Sequence, residues 1–346
     1  MTMRLADSSE IDNWNTKILG NPDGGDVLQS VQFAHMREMG NWKPRYVLAG
    51  SVALTILEKP VAGLGNFWYI PKGPGISTVP QLGDLLPDLR SFADKHGVFA
   101  VKVEPELEKT DDAMKALHEL GLKHVAAIQP NASTVLIDLG PKLDEIMAGL
   151  NQKGRHAIKR AERDGVTVER VKATDKNCEA FYELLQQTAS GSFIIRPYDY
   201  FKKLWQSFAS AEMGQLFFAN YDGKLVAAAF AMVFGEKSTY KDGASVRERT
   251  AYGASHLLQW HIIAWAKERG AKQHNLYGSP SSDQINDEQH PYYGVGRFKT
   301  SFNKHVTDYV GAFDLVVRPR QYALWIKFGE RAAKSLWWRS RHESWY

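Results

Sequence analysis

The chain has 346 residues, of which 44% are hydrophobic and 24% are charged. This length favours two domains over one core, and the composition is that of a folded protein, not a disordered one. The net charge of +4 is too small to establish a nucleic-acid partner by itself. The single cysteine, Cys178, excludes an intrachain disulfide and a multi-cysteine zinc site.

The first residues lack the apolar core of a signal peptide, and no run approaches 18 apolar residues. We therefore expect a cytoplasmic protein. Cys178 falls at a predicted helix start, where we expect it to take no part in chemistry.

The first half of the chain predicts a central order of three strands, a helix and a further strand, with one helix before it and a helix and a strand after it. Helical spacing of apolar residues and β-rich runs between turn residues carry this prediction. The elements are expected at residues 28–39 (helix), 45–49, 52–57 and 66–71 (strands), 82–96 (helix), 98–105 (strand), 112–120 (helix) and 133–139 (strand).

The second half repeats the same order after a long basic helix. Asp222-Gly223 marks its clearest hairpin, because Asp-Gly favours a two-residue turn. The repeat predicts a duplicated α/β domain built on an antiparallel hairpin and a crossover helix. The elements are expected at residues 143–164, 178–189 and 198–208 (helices), 214–221, 224–233 and 237–245 (strands), 254–269 (helix), 273–278 (strand), 306–315 (a last β-like run) and 318–346 (helix).

Five cations lie within eleven residues of the long basic helix. Such a run is either a solvated helix face or a surface for a phosphate-rich partner such as RNA, and the sequence leaves both open. The cations are Lys153, Arg155, Lys159, Arg160 and Arg163.

Arg196 and Tyr200 stand four residues apart around Pro197, which suits the first turn of a helix. On one face they would grip a diphosphate, with the guanidinium binding in bidentate fashion. The alternative is that Arg196 pairs with a neighbouring carboxylate.

Several signatures of other enzyme classes are missing, including the phosphate-binding loop, the nucleophile elbow and the HExxH zinc motif. Acetyltransferases hold the pyrophosphate of acyl-coenzyme A at a glycine-rich turn before a helix. Here residues 250–255 carry one glycine, Gly253, beside the bulky Tyr252. Binding of acyl-coenzyme A is therefore disfavoured. His35 and His290 lack a second ligand at metal-binding spacing.

Lys299 lies between two aromatic residues, in Phe298-Lys299-Thr300-Ser301-Phe302. A lysine is a compact point charge that suits a negative charge formed only in a transition state. The alternative is an amphipathic turn with two buried phenylalanines and a solvated lysine.

Five segments together resemble the Fem family, the aminoacyl-tRNA-dependent transferases that build peptidoglycan interpeptide bridges. Their order and spacing match along most of the chain. They are Lys72-Gly73-Pro74, Val103-Glu104-Pro105-Glu106, Lys153-Gly154-Arg155 with Ile158-Lys159-Arg160-Ala161, Phe193-Ile194-Ile195-Arg196 with Tyr200-Phe201, and Asn275-Leu276-Tyr277-Gly278 with Gly294, Phe298, Lys299 and Phe302.

This resemblance implies an α/β fold of two tandem acetyltransferase-like domains with mixed, largely antiparallel sheets and a cleft between them. The first domain would comprise residues 1–140 plus 318–346 and take the muropeptide precursor; the second, residues 141–317, would take the aminoacyl-tRNA. Many members carry a coiled-coil arm, but this sequence has no heptad run and resembles the compact members.

The resemblance also implies the reaction. An amine on the stem peptide of a precursor, lipid II or UDP-MurNAc-pentapeptide, attacks the ester of an aminoacyl-tRNA, with no cofactor. Lys299 would stabilise the oxyanion, with the Phe298 backbone beside it. Five residues would contact the precursor: Arg37, Glu104, Arg196, Tyr200 and Tyr240. Glu104 would also accept a proton from the amine. Relatives often have Lys at the position of Arg37 and Asp at the position of Glu104.

The Trp-rich, basic tail either rests on the inner membrane surface, which favours a lipid-linked precursor, or packs as an ordinary terminal helix. We expect a monomer. The rival functions are a coenzyme-A-dependent N-acyltransferase of the same fold and a non-enzymatic RNA- or membrane-binding protein.

Overall fold

The computed structural model describes residues 2–129, 132–189, 195–246, 251–342 and 345–346. These form two compact units. The first comprises Met1–Ala132 and Tyr309–Tyr346, and the second comprises Ser133–Asp308.

Each unit is built on one seven-stranded sheet. The strands are β1 (Met3–Leu5), β2 (Lys43–Ala49), β3 (Val52–Val61), β4 (Gly65–Ile70), β5 (Val98–Val103), β6 (Lys123–Val125), β7 (Ser133–Asp138), β8 (Thr167–Val171), β9 (Gly214–Tyr221), β10 (Lys224–Phe234), β11 (Lys237–Ser245), β12 (Gln273–Gly278), β13 (Thr307–Asp308) and β14 (Ala312–Val316). The helices are α1 (Ser8–Asp12), α2 (Trp14–Leu19), α3 (Val31–Glu38), α4 (Val79–Lys95), α5 (Asp111–Glu119), α6 (Leu143–Gly149), α7 (Gln152–Arg163), α8 (Asp175–Ala189), α9 (Tyr198–Ser210), α10 (Ala254–Glu268), α11 (Tyr293–Lys299), α12 (Pro319–Leu324) and α13 (Glu330–Arg341).

The first sheet has the strand order β1-β2-β3-β4-β5-β14-β6. Its pairs are antiparallel except β4 with β5, which are parallel and joined by the crossover helix α4. Every residue of β5 is buried, and α4 covers the sheet with Leu82, Leu85, Leu86 and Leu89. A fully apolar strand next to a helix is expected where both faces of a sheet are covered.

The second sheet has the strand order β13-β7-β12-β11-β10-β9-β8. Its one parallel pair, β11 with β12, is again joined by a helix, α10. The β9–β10 turn places Asp222 and Gly223 at positive φ, of 50° and 70°, as a tight hairpin turn requires. The predicted strand-strand-strand-helix-strand repeat is therefore confirmed in both units, and the fold is α/β with two mixed, largely antiparallel sheets.

The prediction of one helix over residues 143–164 was wrong. The segment forms α6 and α7, with a break at Leu150, whose ψ of 153° is extended. Leu150 is buried, and the Asn151 side chain caps α7 through the backbone N–H of Lys153. Burial of one leucine and the cap together end the first helix where charge pattern alone gave no signal.

The unit boundaries in the chain fall between residues 132 and 133 and between residues 308 and 309. The sequence predicted boundaries at 140/141 and 317/318. Strand β7 pairs with β12 and so belongs to the second sheet, although it follows the first half in sequence. The apolar run at 306–315 is divided, because β13 joins the second sheet and β14 the first. Gly311, at φ 84°, lies between them. Strand partners are chosen by tertiary packing, and a local pattern does not encode them.

The C-terminal segment is helical, but it is not the single helix predicted over residues 318–346. A π-helical turn at Trp325–Gly329 joins α12 to α13. Trp345 then packs against Trp42 and Trp325, with ring centroids 5.9 and 5.2 Å away, so the segment returns to the first unit as expected. Among the helices of the described ranges, none combines the length and apolarity needed to cross a bilayer.

Candidate functional site

Lys299 ends α11 with its side chain turned inwards. The residue is 6% exposed, and its Nζ donates a hydrogen bond to the carbonyl oxygen of Gly278 at 2.5 Å. Burial lowers the pKa of Lys299 to about 7. The alternative of a solvated lysine is thus wrong. With its lowered pKa, this ammonium group titrates near neutral pH.

The carbonyl that receives Lys299 lies at an irregular end of β12. The pairing of β12 with β7 shifts register between Asn275 and Gly278, and Tyr277 adopts a left-handed φ of 64°. The Thr134 hydroxyl donates to the Asn275 side chain at 2.6 Å, and Asn275 accepts from the Tyr277 backbone N–H at 2.7 Å. A bulge at a strand end redirects backbone groups, and here it turns the Gly278 carbonyl towards Lys299.

Two phenylalanines, Phe298 and Phe302, flank Lys299 in the sequence and pack on each other. Phe302 is 1% exposed and Phe298 is half-buried, with their centroids 5.4 Å apart. His256 packs against both rings, and burial lowers its pKa to about 4, so the imidazole is neutral. A charge that forms in such an apolar setting is weakly screened, which strengthens its attraction to an ammonium group.

The basic helix α7 packs directly on the turn that follows Lys299. A Cβ at Gly154 would overlap the carbonyl oxygen of Ser301. On the other side, a Cβ at Gly253 would overlap the carbonyl of Ala157, where α10 begins. Two glycines therefore allow α7 to lie against both α10 and the Lys299 turn.

Four of the five predicted RNA-binding cations are exposed on α7: Lys153, Lys159, Arg160 and Arg163. Arg155 differs, because its guanidinium donates to the carbonyl oxygens of Ala148 and Leu150 and so caps α6. Arg160 lies over the ring of Tyr252, 4.5 Å from its centroid, and Tyr252 is 46% exposed. The helix thus presents cations beside one exposed aromatic ring.

Arg196 and Tyr200 are brought together in the second unit. Arg196 precedes α9, whose N-cap is Pro197, and its guanidinium lies 4.7 Å from the centroid of the Tyr200 ring. The rest of the predicted segment, residues 193 and 194, lies outside the described residues.

Lys241 adjoins this pair. It is the extra residue of a β-bulge in β11, and its Nζ bonds Asp242 at 3.0 Å. Although burial opposes the charge, the Asp242 carboxylate raises the pKa of Lys241, while the charge of Arg196 acts against it. Lys241 and Arg196 are therefore two cations near one phenol, Tyr200.

Tyr240 lies on the same strand and is held by a close backbone approach. A Cβ at Gly243 would overlap the Tyr240 hydroxyl, so glycine is required for this position of the ring. Burial raises the pKa of Tyr240, and the phenol stays protonated at neutral pH.

Glu104, which follows β5 in the first unit, is a buried carboxylate that accepts hydrogen bonds from several donors. The Tyr69 hydroxyl donates to it at 2.5 Å, and the backbone N–H groups of Ile128 and Gln129 donate at 2.6 and 3.3 Å. Burial raises the pKa of Tyr69 well above its usual value, and the nearby Arg37 charge opposes this shift. Arg37 and Glu104 are thus neighbours of one phenol.

A small cavity beside Glu104 is lined by Lys72 and Tyr309. Lys72 has a left-handed φ of 48°, and its Nζ lies 3.4 Å from Glu106 and 5.2 Å from the Tyr309 ring centroid. The Lys-Gly-Pro turn therefore adds a cation to the Glu104 region.

Ser238, His274 and Cys178 are further potentially reactive residues, and all three are buried. Ser238 and His274 are 2.6 Å apart, but both are at most 1% exposed, and burial lowers the His274 pKa to about 3. Cys178 is buried, which raises its thiol pKa to about 11. Within the described ranges, no group of three or more His, Cys, Asp or Glu side chains is placed to hold a metal ion.

A sequence model of the FemAB family matches residues 8–225 and 212–327, which is most of the chain. The chain belongs to the FemAB family. A lipid II:glycine glycyltransferase of Staphylococcus aureus strain MRSA252 is 22% identical over 392 residues, covering 89% of this chain and 91% of the relative. The enzyme of the same name from strain USA300 is 22% identical over 385 residues, covering 87% and 90%.

Solved structures agree on the fold. The crystal structure of FemX superposes with a TM-score of 0.80 at 20% identity, over 94% of this chain and 99% of that one. L-PGS from Bacillus licheniformis gives a TM-score of 0.52 at 14% identity, over 94% and 97%. The two-unit fold of this FemAB protein is therefore shared along nearly its whole length.

Sequence reasoning missed four residues that adjoin the predicted ones: Tyr69, Gly154, Lys241 and Tyr252 as a neighbour of Arg160. Gly154 stood within the recognised Lys-x-Arg segment, and a glycine inside a basic helix was a signal of close packing. Lys241 follows Tyr240 directly, but the sequence does not reveal the bulge in β11 that contains Lys241 or its nearness to Arg196 and Tyr200. Tyr69 carried no local signal.

Proposed function

We propose that this FemAB protein is an aminoacyltransferase of peptidoglycan bridge formation. It transfers an amino acid from aminoacyl-tRNA to the stem peptide of a peptidoglycan precursor. Family membership and the relatives named lipid II:glycine glycyltransferase support the reaction class. The observation that carries the chemistry is the burial of Lys299, which lowers the pKa of this lysine to about 7.

The chemical step is an attack of the acceptor amine on the ester carbonyl carbon of the aminoacyl-tRNA. A C–N bond forms, the carbonyl oxygen becomes an oxyanion, and Lys299 in its protonated form donates a hydrogen bond to it. Collapse of this intermediate breaks the C–O bond, and the 3′-terminal ribose leaves as a free hydroxyl, taking up the proton that the amine gives up. Because the ester is already activated, positioning and charge stabilisation supply most of the catalysis. The Phe298 backbone adjoins Lys299.

Glu104 is the proposed acceptor of the amine proton. Its carboxylate receives donors from Tyr69 and from two backbone N–H groups, which fix its orientation. A carboxylate oxygen has two acceptor positions, so capacity for a further proton or N–H group remains.

The proposed precursor-binding residues are Arg37 and Glu104 in the first unit, and Arg196, Tyr200 and Tyr240 in the second, and each set lies within its own unit. Arginine suits a diphosphate because its planar fork binds two oxygens at once. Lys241 adds a second positive charge near Arg196. We therefore assign the diphosphate to the Arg196 side.

The RNA is proposed to lie along α7. Lys153, Lys159, Arg160 and Arg163 would neutralise phosphates, and Tyr252 would offer a ring on which an unpaired base stacks. Arg155 would act through α6, whose end it caps. The close packing at Gly154 keeps this helix next to the Lys299 turn.

The test is a transfer assay with purified protein, a panel of charged tRNAs, and either lipid II or UDP-MurNAc-pentapeptide as the acceptor. We expect one aminoacyl-tRNA to give an extended stem peptide. A coenzyme-A-dependent N-acyltransferase would instead transfer from acetyl-coenzyme A and ignore the tRNA. That result, or the absence of transfer from every charged tRNA, would refute the proposed function.

A further inference from the structure

The helical segment at residues 319–342 exposes large apolar side chains that the fold does not cover. We call these side chains and the cations among them the C-terminal helical surface. Exposed apolar groups of this size in one segment mark an interaction surface. Their exposed fractions are 53% for Leu324, 51% for Ile326, 61% for Phe328, 64% for Leu336 and 44% for Trp338.

The orientation of the segment is fixed by its inner row. Trp325 is 1% exposed and Trp337 is half-buried, and the Nζ of Lys59 lies 4.1 Å from the Trp337 ring centroid. Residues 325, 329, 333 and 337 are four apart and therefore share this inner face. Phe328 and Leu336, two turns apart, consequently point away from the first unit.

The same segment carries a strong excess of positive charge. Its one acid, Glu330, is bonded to Lys334 at 2.8 Å and to the Tyr346 hydroxyl at 2.7 Å. Lys327 lies over the Phe328 ring, 5.1 Å from its centroid, so a cation and an apolar group lie side by side. The cations are Arg320, Lys327, Arg331, Lys334, Arg339 and Arg341.

An apolar cavity of about 460 Å³ opens beside this surface. Leu336, Trp337 and Trp345 line it, and the buried indole N–H of Trp337 has no hydrogen-bond partner among the described residues. Mostly apolar walls beside an indole donor suit a molecule with an apolar chain and an acceptor oxygen.

We propose that the C-terminal helical surface docks this protein on an anionic lipid bilayer. Leu, Phe and Trp side chains enter the boundary between headgroups and acyl chains, while long Lys and Arg side chains reach the lipid phosphates. Interleaved cations fit anionic headgroups better than they fit an apolar protein partner, whose interface core is depleted of charge. The docking itself does not depend on the proposed function. One consequence does rest on that function: a protein docked on the bilayer would use the lipid-borne precursor as its acceptor.

Vesicle co-sedimentation of the full chain tests the docking. Vesicles of phosphatidylcholine alone should leave the protein in solution, and vesicles that also contain phosphatidylglycerol should sediment it, less so in high salt. The double variant F328S/L336S should bind at least tenfold more weakly. The matched control, L5S/L19S, changes two exposed leucines of the same unit and should bind as the wild type does.

Two charge-reversal variants test the role of the cations in vesicle binding. R331E/R339E should abolish sedimentation, whereas K95E/K115E, which reverses two exposed lysines elsewhere in the unit, should not. Wild-type protein that ignores the anionic vesicles overturns the proposal, as does F328S/L336S that binds equally well. A wild-type dimer that F328S/L336S dissociates, without vesicle binding, identifies a second copy as the occupant and also overturns it.

Transfer assays separate this inference from the proposed function. F328S/L336S should slow transfer to lipid II in anionic vesicles and leave transfer to UDP-MurNAc-pentapeptide at the wild-type rate. Vesicle binding without any aminoacyl transfer would refute the proposed function and leave the docking intact. Transfer to vesicle-borne lipid II without vesicle binding would refute the docking alone.

Discussion

Burial of Lys299 has two opposite effects on its ammonium charge. Its side chain is buried, which lowers its pKa to about 7, although its Nζ donates a hydrogen bond to the Gly278 carbonyl. The same apolar surroundings would strengthen its attraction to an oxyanion, because the local dielectric is low. Destabilisation of the resting charge and stabilisation of the transition state thus have one origin.

This arrangement predicts a pH-dependent stability effect at Lys299. The folded-state pKa of about 7 lies below the ordinary lysine value of 10.5, so the unfolded chain binds the proton more tightly. Wild-type stability should therefore increase as pH rises between about 7 and 10.5. Lys299→Met, which has no proton to lose, should stabilise the fold most below pH 7, by a few kcal/mol at about 1.4 kcal/mol per pKa unit.

Denaturant unfolding of both proteins at pH 6 and pH 10 measures the effect. The advantage of Lys299→Met should shrink at the higher pH. Lys267→Met provides a control, because this partly exposed lysine bonds the Leu139 carbonyl at 2.6 Å without burial like that of Lys299. An advantage of Lys299→Met that is equal at both pH values would mean that burial does not perturb this lysine.

At the scale of elements, the contact between α7 and the Lys299 turn depends on one glycine. Gly154→Ala should push α7 away from Ser301, and overpacking of this kind typically costs about 1–3 kcal/mol. The transfer rate should fall at least tenfold, because a shift near 1 Å is enough to misplace a catalytic group. Denaturant unfolding and single-turnover transfer measure the two effects.

Gly149→Ala is the matched control in α6. An added Cβ there meets nothing within 4 Å, so the variant should keep wild-type activity and gain up to about 1 kcal/mol from helix propensity. If Gly154→Ala behaved like this control, the approach of α7 to the Lys299 turn would have no functional weight.

The exposed face of α7 gives a second element-scale prediction. Replacing Lys159, Arg160 and Arg163 by Gln should weaken tRNA binding and flatten its dependence on salt. Each lost phosphate contact lowers the slope of log K against log salt by roughly 0.7–0.9. Titrations at several salt concentrations measure that slope.

The corresponding control removes charge in the first unit, by Gln at Lys95, Lys115 and Lys123, all exposed. Its net charge change equals that of the α7 variant, so a general charge effect would lower both slopes alike. An α7 variant with the wild-type slope would place the RNA elsewhere.

At the scale of the whole molecule, the sequence predicted the repeat because its signals are local. The Asp222-Gly223 pair predicts a hairpin turn, and the spacing of the leucines in α4 predicts a buried helix face. The unit boundaries were missed because β7 and β14 choose partners far away in sequence. Periodicity within a strand says nothing about which sheet it joins.

The candidate site divides in the same way. The resemblance predicts roles for Lys299 and Arg196, and these stay predictions. The sequence could not distinguish the capping contact of Arg155 from a phosphate contact, since both use the same guanidinium. Nor could it reveal Tyr69 beside Glu104, because a strand residue meets the end of another strand only in the folded sheet.

Single-turnover transfer by wild-type protein and by Lys299→Ala, with both substrates saturating, tests the central claim most directly. The variant should bind both substrates and transfer about two orders of magnitude more slowly, as for the loss of one oxyanion donor. The ratio of the two rates isolates Lys299 from titration of the acceptor amine. That ratio should be constant below pH 7 and fall above it, as the ammonium group loses its proton. An unchanged rate in Lys299→Ala, or a ratio that grows above pH 7, would contradict the account.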